Sequence, residues 1–506
     1  MTTIVSSAQD LWTSWTLTTQ ICVGVAVVLF SIVVMKSSRK IKYKLPPGLP
    51  QLPVIGNMLD MRGGEMHEKW WQIAQEKKWP IMSFKFSSKL MLIVSTPEVT
   101  KEMLITKGNV FNSRDKDTFL NLALRKSPDG KSETGALFTP HGPAWKVTRK
   151  IMVAGQNEFK KNVGDQYIVD TILPQLYSEI AGETSIDARI RVAKMTVIRI
   201  LLVFVFGPGA EQYADQIVPL NDDLFHVVDT NNAIEFFLPL VGRQMSWLYY
   251  KIYQRGLVAR KYKLYDSILS QRGIKYNQAK QWSLSDMVQL AEKNGEINHY
   301  QALQIFEECF FGGQDTAGGA IEGILKMLVE NQEVLVKIQK EMDDVVGVGK
   351  QFRHTDADRL PYFQAAIKEG LRLHRAIPVL TPHVAHEDTT LGGYDIPKDT
   401  IITVNLWGLA RDPASFPDPF EVKPERFLGK DTNFSGNDCK YVVFGVGQRI
   451  CPGQTLALFM VNVLVGSLAQ RYHFELGNDW KHKRDAGTFF KELALHLKLT
   501  KRHGFQ

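Results

Sequence analysis

Hydrophobic and polar positions fall into three regimes along the chain. Residues 11–35 contain no charged side chain. At about 1.5 Å per residue, a helix of that length crosses a hydrocarbon core of roughly 30 Å. Between about residues 140 and 380 apolar residues recur at helical spacing, which predicts helices over 171–180, 193–206 and 300–331. Short β-rich runs at 81–86, at 91–94 and around 389–404 predict strands. A further apolar run at 456–464 reads as helix. The expectation is a mostly α protein with a minor β portion, preceded by one transmembrane helix. Length alone suggests about three domains, but no linker, fixed-period repeat or low-complexity segment divides the 506 residues.

Charge sharpens the membrane end. Trp12 and Trp15 lie at one end of the uncharged run, and Lys36, Arg39, Lys40, Lys42 and Lys44 follow the other. Indoles favour the interface, and cations stay on the cytoplasmic side. The expected order is a lumenal stretch 1–10, an anchor 11–35, a basic and proline-rich hinge 36–53 and a folded domain 54–506 on the cytosolic side. A cleaved signal peptide is the alternative, but it would carry its positive charge before the apolar run. The five cations account for much of the net charge of +8. They suit an anionic lipid surface at about 1 kcal/mol each, and no aromatic-interleaved basic stretch points to nucleic acid. Pro46, Pro47, Pro50 and Pro53 stiffen the hinge.

Four cysteines occur, at 22, 309, 439 and 451. That is too few for a disulfide framework and agrees with a reducing compartment. Cys22 and Cys309 sit in apolar runs and read as small buried hydrophobes. No C-x-x-C pair or Cys/His cluster suggests zinc.

Cys451 lies in Phe444-Gly445-Val446-Gly447-Gln448-Arg449-Ile450-Cys451-Pro452-Gly453. Glycines let a backbone approach a flat macrocycle, Arg449 offers a guanidinium to a carboxylate, and the helix that follows favours a thiolate at its N-terminus. A second anomaly is Gly312-Gly313-Gln314-Asp315-Thr316-Ala317-Gly318-Gly319, four glycines inside a helical pattern. Each costs about 1 kcal/mol relative to alanine, so either something approaches that backbone or the helix breaks at an Asp or Thr cap. Glu369 and Arg372 are spaced to pair on one helix face. Pro424-Glu425-Arg426-Phe427 supplies a further arginine. Trp145 and Arg149 share a helical face, where a packing indole beside a solvated guanidinium is the plain alternative. His383 follows Thr381-Pro382 and reads, on its own, as a loop histidine.

In their order and spacing these motifs resemble the cytochrome P-450 family, microsomal type. The resemblance implies a P-450 fold and heme b with Cys451 as iron ligand. It places Phe444, Arg449, Trp145, Arg149, His383 and Gly313 around the cofactor. Asp315 and Thr316 would guide protons to iron-bound dioxygen, and Glu369, Arg372 and Arg426 would form a structural cluster. The implied activity inserts one oxygen atom of O2 into a small organic substrate, with electrons from NADPH through NADPH–cytochrome P-450 reductase at the endoplasmic reticulum membrane. A haem-thiolate isomerase or dehydratase working without a reductase, or a non-catalytic haem protein, are the rival classes. Asp315-Thr316 and the glycines count against both. Residues 295–298, 376–383, 393–397 and 436–447 are also similar to plant cinnamate 4-hydroxylases, which implies an aromatic acid or another secondary metabolite as substrate. Residues 115–137 and 312–319 depart from that group.

Overall fold

The computed structural model describes residues 43–52, 55–61, 65–86, 89–114, 135–237, 242–272, 283–429, 439–477 and 495–505. The expected lumenal stretch, the anchor and the first part of the hinge, residues 36–42, lie outside them. Among the described residues no helix is long and apolar enough to cross a membrane.

The α-helices of eight residues or more are α1 Met66–Lys77, α2 Pro143–Phe159, α3 Leu173–Ile180, α4 Val197–Phe206, α5 Ala214–Phe237 and α6 Gly242–Tyr249. They continue as α7 Arg255–Arg272, α8 Leu284–Lys293, α9 His299–Glu330, α10 Gln332–Val345, α11 Pro361–Leu373 and α12 Gln454–Arg471. The runs predicted at 193–206 and 171–180 each begin as a wide π turn, Arg189–Thr196 and Ile168–Ile172, before continuing as α4 and α3.

Helix α9 is the axis of the molecule. Its start is fixed by a capping box: Asn298 accepts from the Gln301 N–H at 3.0 Å, and Gln301 accepts from the Asn298 N–H at 2.8 Å. It then runs unbroken for 32 residues through the glycine-rich stretch. Part of the glycine cost is offset by close packing. A Cβ on Gly318 would lie 2.3 Å from the Ala193 carbonyl oxygen, and one on Gly323 would lie 2.3 Å from the His374 Cβ. Around α9 the main core gathers α2, α4, α10, α11 and α12. In α4 every residue but Arg199 is fully enclosed.

The strands are peripheral. β1 Ile81–Phe86, β2 Lys89–Val94, β7 Ile401–Val404 and β4 His383–Val384 form one sheet in the order β1-β2-β7-β4. Only β2 and β7 are parallel, with Met91 opposite Ile401. A second sheet joins β3 Ile186–Asp187 to β9 His496–Lys501 and β8 Tyr472–Leu476; β5 Thr389–Leu391 and β6 Tyr394–Ile396 form a hairpin. The described part of the hinge already rests on the first sheet and on the β5–β6 hairpin. The Ser83 N–H donates to the Pro47 carbonyl at 2.8 Å, and Lys44 and Asp395 exchange hydrogen bonds at 2.7 and 2.8 Å. The mostly helical fold with a minor sheet agrees with the expectation.

Candidate active site

The cysteine loop is set by backbone geometry. Gly445 and Gly447 both have positive φ, 73° and 72°. A Cβ on Gly447 would stand 2.2 Å from the Leu104 carbonyl oxygen, so only glycine fits there. The turn they form lets the Cys451 N–H donate to the Phe444 carbonyl at 2.7 Å. Cys451 is half-buried, two residues before Gly453, the N-cap of α12. Burial raises the thiol pKa, while the Gly453 N–H and then the Arg149 charge pull it down. A bound metal cation would complete the deprotonation. Helix α2 braces the loop from one side. Arg149 donates to the Ile450 carbonyl at 2.7 Å, and Gln156 spans from the Pro452 carbonyl (2.6 Å) to the Leu456 N–H (3.2 Å).

Beside the loop sits a group of cations. Arg449 donates to the carbonyls of Asn112, Ala136 and Thr139 at 2.7, 3.1 and 2.8 Å, and its guanidinium lies 4.7 Å from the Trp145 ring. The Trp145 indole donates to the Ala136 carbonyl at 3.1 Å, and Arg149 lies 5.6 Å from the same ring. Arg114, which no periodicity or motif marked in the sequence, is buried and donates to the carbonyls of Leu137, Thr381 and Pro382 at 3.0, 2.9 and 2.7 Å. Burial and then the Arg449 charge lower its pKa to about 9. His383 is buried, with Nδ1 bonded to the Phe111 carbonyl at 2.6 Å. Burial and then Arg114 push its pKa well down, so the ring is neutral.

Among the described residues none of Arg114, Arg149 and Arg449 forms an ion pair with a carboxylate. Three desolvated guanidiniums without an ion pair, Arg449 feeling Glu308 only at longer range, lie next to a half-exposed sulfur and suit a cofactor that brings carboxylates of its own. Haem, with two propionates, meets that requirement.

On α9, Asp315 and Thr316 are half-buried. The Thr316 hydroxyl donates back to the Gly312 carbonyl, the type of bond that eases a helix open. A Cβ on Gly312 would meet nothing within 4 Å, whereas one on Gly313 would meet the Leu201 side chain at 3.0 and 3.1 Å. The open flank of the helix is therefore at Gly312, one residue before the glycine singled out by the sequence; one step along a helix turns the Cβ by about 100°.

Burial raises the Asp315 pKa, opposed first by Lys194 and then by Gln314. Gln314 is central to a buried network. Its amide donates to Asp315 and to Asp222, both at 3.3 Å, and its oxygen accepts from Asn221 at 2.8 Å. Asn221 accepts from Lys261 of α7, which is fully buried and paired with Glu307 at 2.6 Å; Tyr265 donates to the same carboxylate at 2.8 Å. None of Asn221, Lys261 and Glu307 was expected from the sequence.

Glu369, Arg372 and Arg426 do come together. Arg372 makes a bidentate pair with Glu369 at 2.7 and 2.8 Å, both fully buried, and Arg426 reaches the same carboxylate at 3.1 Å. Arg372 also donates to the carbonyls of Ala410, Pro419 and Glu421 at 2.8, 2.7 and 3.2 Å. This ties α11 to the extended segment that leads to the cysteine loop.

Comparison with known proteins adds four findings. The family model for Cytochrome P450 matches residues 46–499. Trans-cinnamate 4-monooxygenase of Glycyrrhiza echinata is 30% identical over 497 residues, covering 94% of this chain and 95% of the relative. That of Narcissus pseudonarcissus is 31% identical over 491 residues, covering 93% and 94%. The solved structure of a zebra fish cytochrome P450 with progesterone superposes with a TM-score of 0.75 at 21% identity, covering 87% of this chain and 100% of that one, which is a likeness of fold.

Proposed function

The chain belongs to the cytochrome P450 family and is a haem monooxygenase; from that premise we propose that Cys451 ligates the iron, that Asp315 and Thr316 deliver protons, and that the substrate is an aromatic acid or a related secondary metabolite. The observation that carries the reading is the Cys451 sulfur, met by the Gly453 N–H beside three guanidiniums that form no ion pair among the described residues. Haem held there supplies the activation of dioxygen, which a thiolate ligand favours. The overall change is substrate C–H plus O2, NADPH and a proton giving C–OH, water and NADP+, with electrons passed by a reductase flavoprotein.

The chain's own part is orientation and proton handling. Arg114, Arg149, Arg449 and Trp145 hold the cofactor edge. The Thr316 hydroxyl and the Gly312 carbonyl face the open flank of α9. Asp315, whose pKa burial raises, supplies protons from the side where buried Gln314 links it to Asp222, the partly exposed acid paired with Lys194. A misdirected proton releases reduced oxygen as peroxide. Thr316→Ala should therefore lower product formed per NADPH by roughly 10²-fold or more, the usual cost of losing a positioned proton donor. The assay uses a panel of aromatic acids chosen by the shift of the Soret band on binding. Unchanged coupling in Thr316→Ala sinks the proton role, and a panel in which only non-aromatic compounds shift the band sinks the substrate class.

The same reading anchors the chain in the endoplasmic reticulum membrane by residues 11–35. The described residues offer a second contact: Met245, Trp247, Leu248, Ile252 and Tyr253, in and after α6, are exposed large apolar side chains, with Lys251 over Trp247 at 3.8 Å. A chain lacking residues 1–42 keeps the Lys44 and Pro47 contacts on the sheet. It should retain its haem spectrum, while activity with a membrane-bound reductase falls more than activity with a soluble donor. Loss of haem on this truncation contradicts the boundary.

A further inference from the structure

Helix α9 carries two adjacent buried acids with different uses. Glu307 turns towards α7 and its lysine. Glu308, one residue on, turns towards the segment that begins at Gly135. Its carboxylate accepts the Ala136 N–H at 2.6 Å and the Leu137 N–H at 3.2 Å, and no cation pairs with it among the described residues.

The carbonyls of the same two residues are engaged as well, and the Ala136 carbonyl belongs to the same amide as the Leu137 N–H that Glu308 holds. The Ala136 carbonyl accepts from the Trp145 indole and from Arg449, both at 3.1 Å, and the Leu137 carbonyl accepts from Arg114 at 3.0 Å. These donors come from three separate parts of the chain, and they are the cofactor-facing set. In the Ala136–Leu137 amide the carboxylate on the N–H side strengthens the Ala136 carbonyl as an acceptor, because bonds in such a chain polarise one another, while the Leu137 carbonyl, in the next amide, is fixed through the position of the backbone.

Gly135 gives a second, independent observation. It has φ +108°, and a Cβ on it would lie 2.2 Å from a Glu308 carboxylate oxygen. The segment therefore reaches the acid only because that position has no side chain. The acid is held at a cost: burial pushes the Glu308 carboxyl up to about 7, against the two N–H bonds. A buried carboxyl kept against that cost, with its two bonds fixing the two residues whose carbonyls meet three cofactor donors, reads as a device for placing them.

We propose that Glu308 is a positioning residue for haem retention: from the oxygen side of the molecule it fixes residues 135–137 and, through their carbonyls, orients Arg114, Trp145 and Arg449 for the propionates. This rests on the haem reading of the site.

The test uses full-length holoprotein and follows transfer of ferric haem to excess apomyoglobin, alongside the haem midpoint potential and thermal unfolding. Glu308→Gln keeps the volume but sets an NH2 against one of the two N–H donors. It should speed haem loss about tenfold, in line with one lost charge-assisted bond, and should shift the potential. Gly135→Ala should do the same with the acid intact, and it decides the matter if Glu308→Gln fails to fold. Trp145→Phe, which removes one donor to Ala136, should combine with Glu308→Gln non-additively. Glu307→Gln should leave haem loss unchanged, since that acid does not touch the segment. Haem loss at the wild-type rate in both Glu308→Gln and Gly135→Ala overturns the proposal, as does equal acceleration by Glu307→Gln. If instead the wild type shows no thiolate-type carbon monoxide spectrum, the haem-ligand reading fails, which is a distinguishable result.

Discussion

The cysteine side of the molecule and the α9 side are built in opposite ways. On the cysteine side a short run of backbone does the positioning. Two positive-φ glycines, one N–H to the sulfur, and carbonyls that accept from Arg449, Arg149 and Gln156 fix every group. On the α9 side the groups are held by side chains reaching between helices: Lys261 to Glu307, Asn221 to Gln314, Gln314 to Asp315. Backbone acceptors survive most substitutions, whereas a buried polar side-chain network fails when one member is lost. The first construction suits a ligand that stays put; the second suits groups whose protonation has to change.

The contrast can be broken at defined points. The largest effect is expected at Glu369, which anchors the cysteine side. Arg372→Leu leaves the fully buried Glu369 carboxylate with Arg426 as its one remaining cation among the described residues and empties three carbonyl acceptors. It should cost roughly 3–5 kcal/mol or more, read as loss of folded haem protein and a lowered urea midpoint. Normal haem content in that variant would show that the cluster does not hold the loop approach. Next, Lys261→Met on the α9 side leaves the buried Glu307 carboxylate without its cation, with only Tyr265 still donating to it among the described residues, at a cost of roughly 3 kcal/mol. Adding Glu307→Gln should restore much of that stability, because it removes the stranded charge. Additive losses in the double variant would mean the pair is not an energetic unit. Both variants should raise peroxide release more than they alter the haem spectrum, since the network ends on Asp315 rather than on the cofactor edge.

This contrast also explains what the sequence disclosed. Cys451, its glycines and Arg449 lie within ten residues, and Glu369 and Arg372 are a single helical turn apart, so both stood out as local patterns. Arg114 sits in irregular backbone and meets its partners up to 268 positions away, and Arg449 meets the Ala136 carbonyl across 313. Such pairings depend on tertiary packing and leave no spacing to read. The glycines of α9 were visible as an anomaly, but their division of labour was not. Only packing shows that Gly318 and Gly323 admit neighbours while Gly312 leaves the flank open. The strands β3, β8 and β9 escaped notice because β3 is two residues long and its partners lie at the far end of the chain.

The central claim is that the thiolate of Cys451 is the iron ligand. The direct measurement is the difference spectrum of the reduced protein with carbon monoxide, taken for Cys451→Ala and, in parallel, for Cys439→Ala, whose buried thiol packs in the core beside the sheet. The account predicts that Cys451→Ala abolishes the band at about 450 nm that marks a thiolate-ligated haem, and that Cys439→Ala keeps it. A band retained in Cys451→Ala, or lost only in Cys439→Ala, would contradict it.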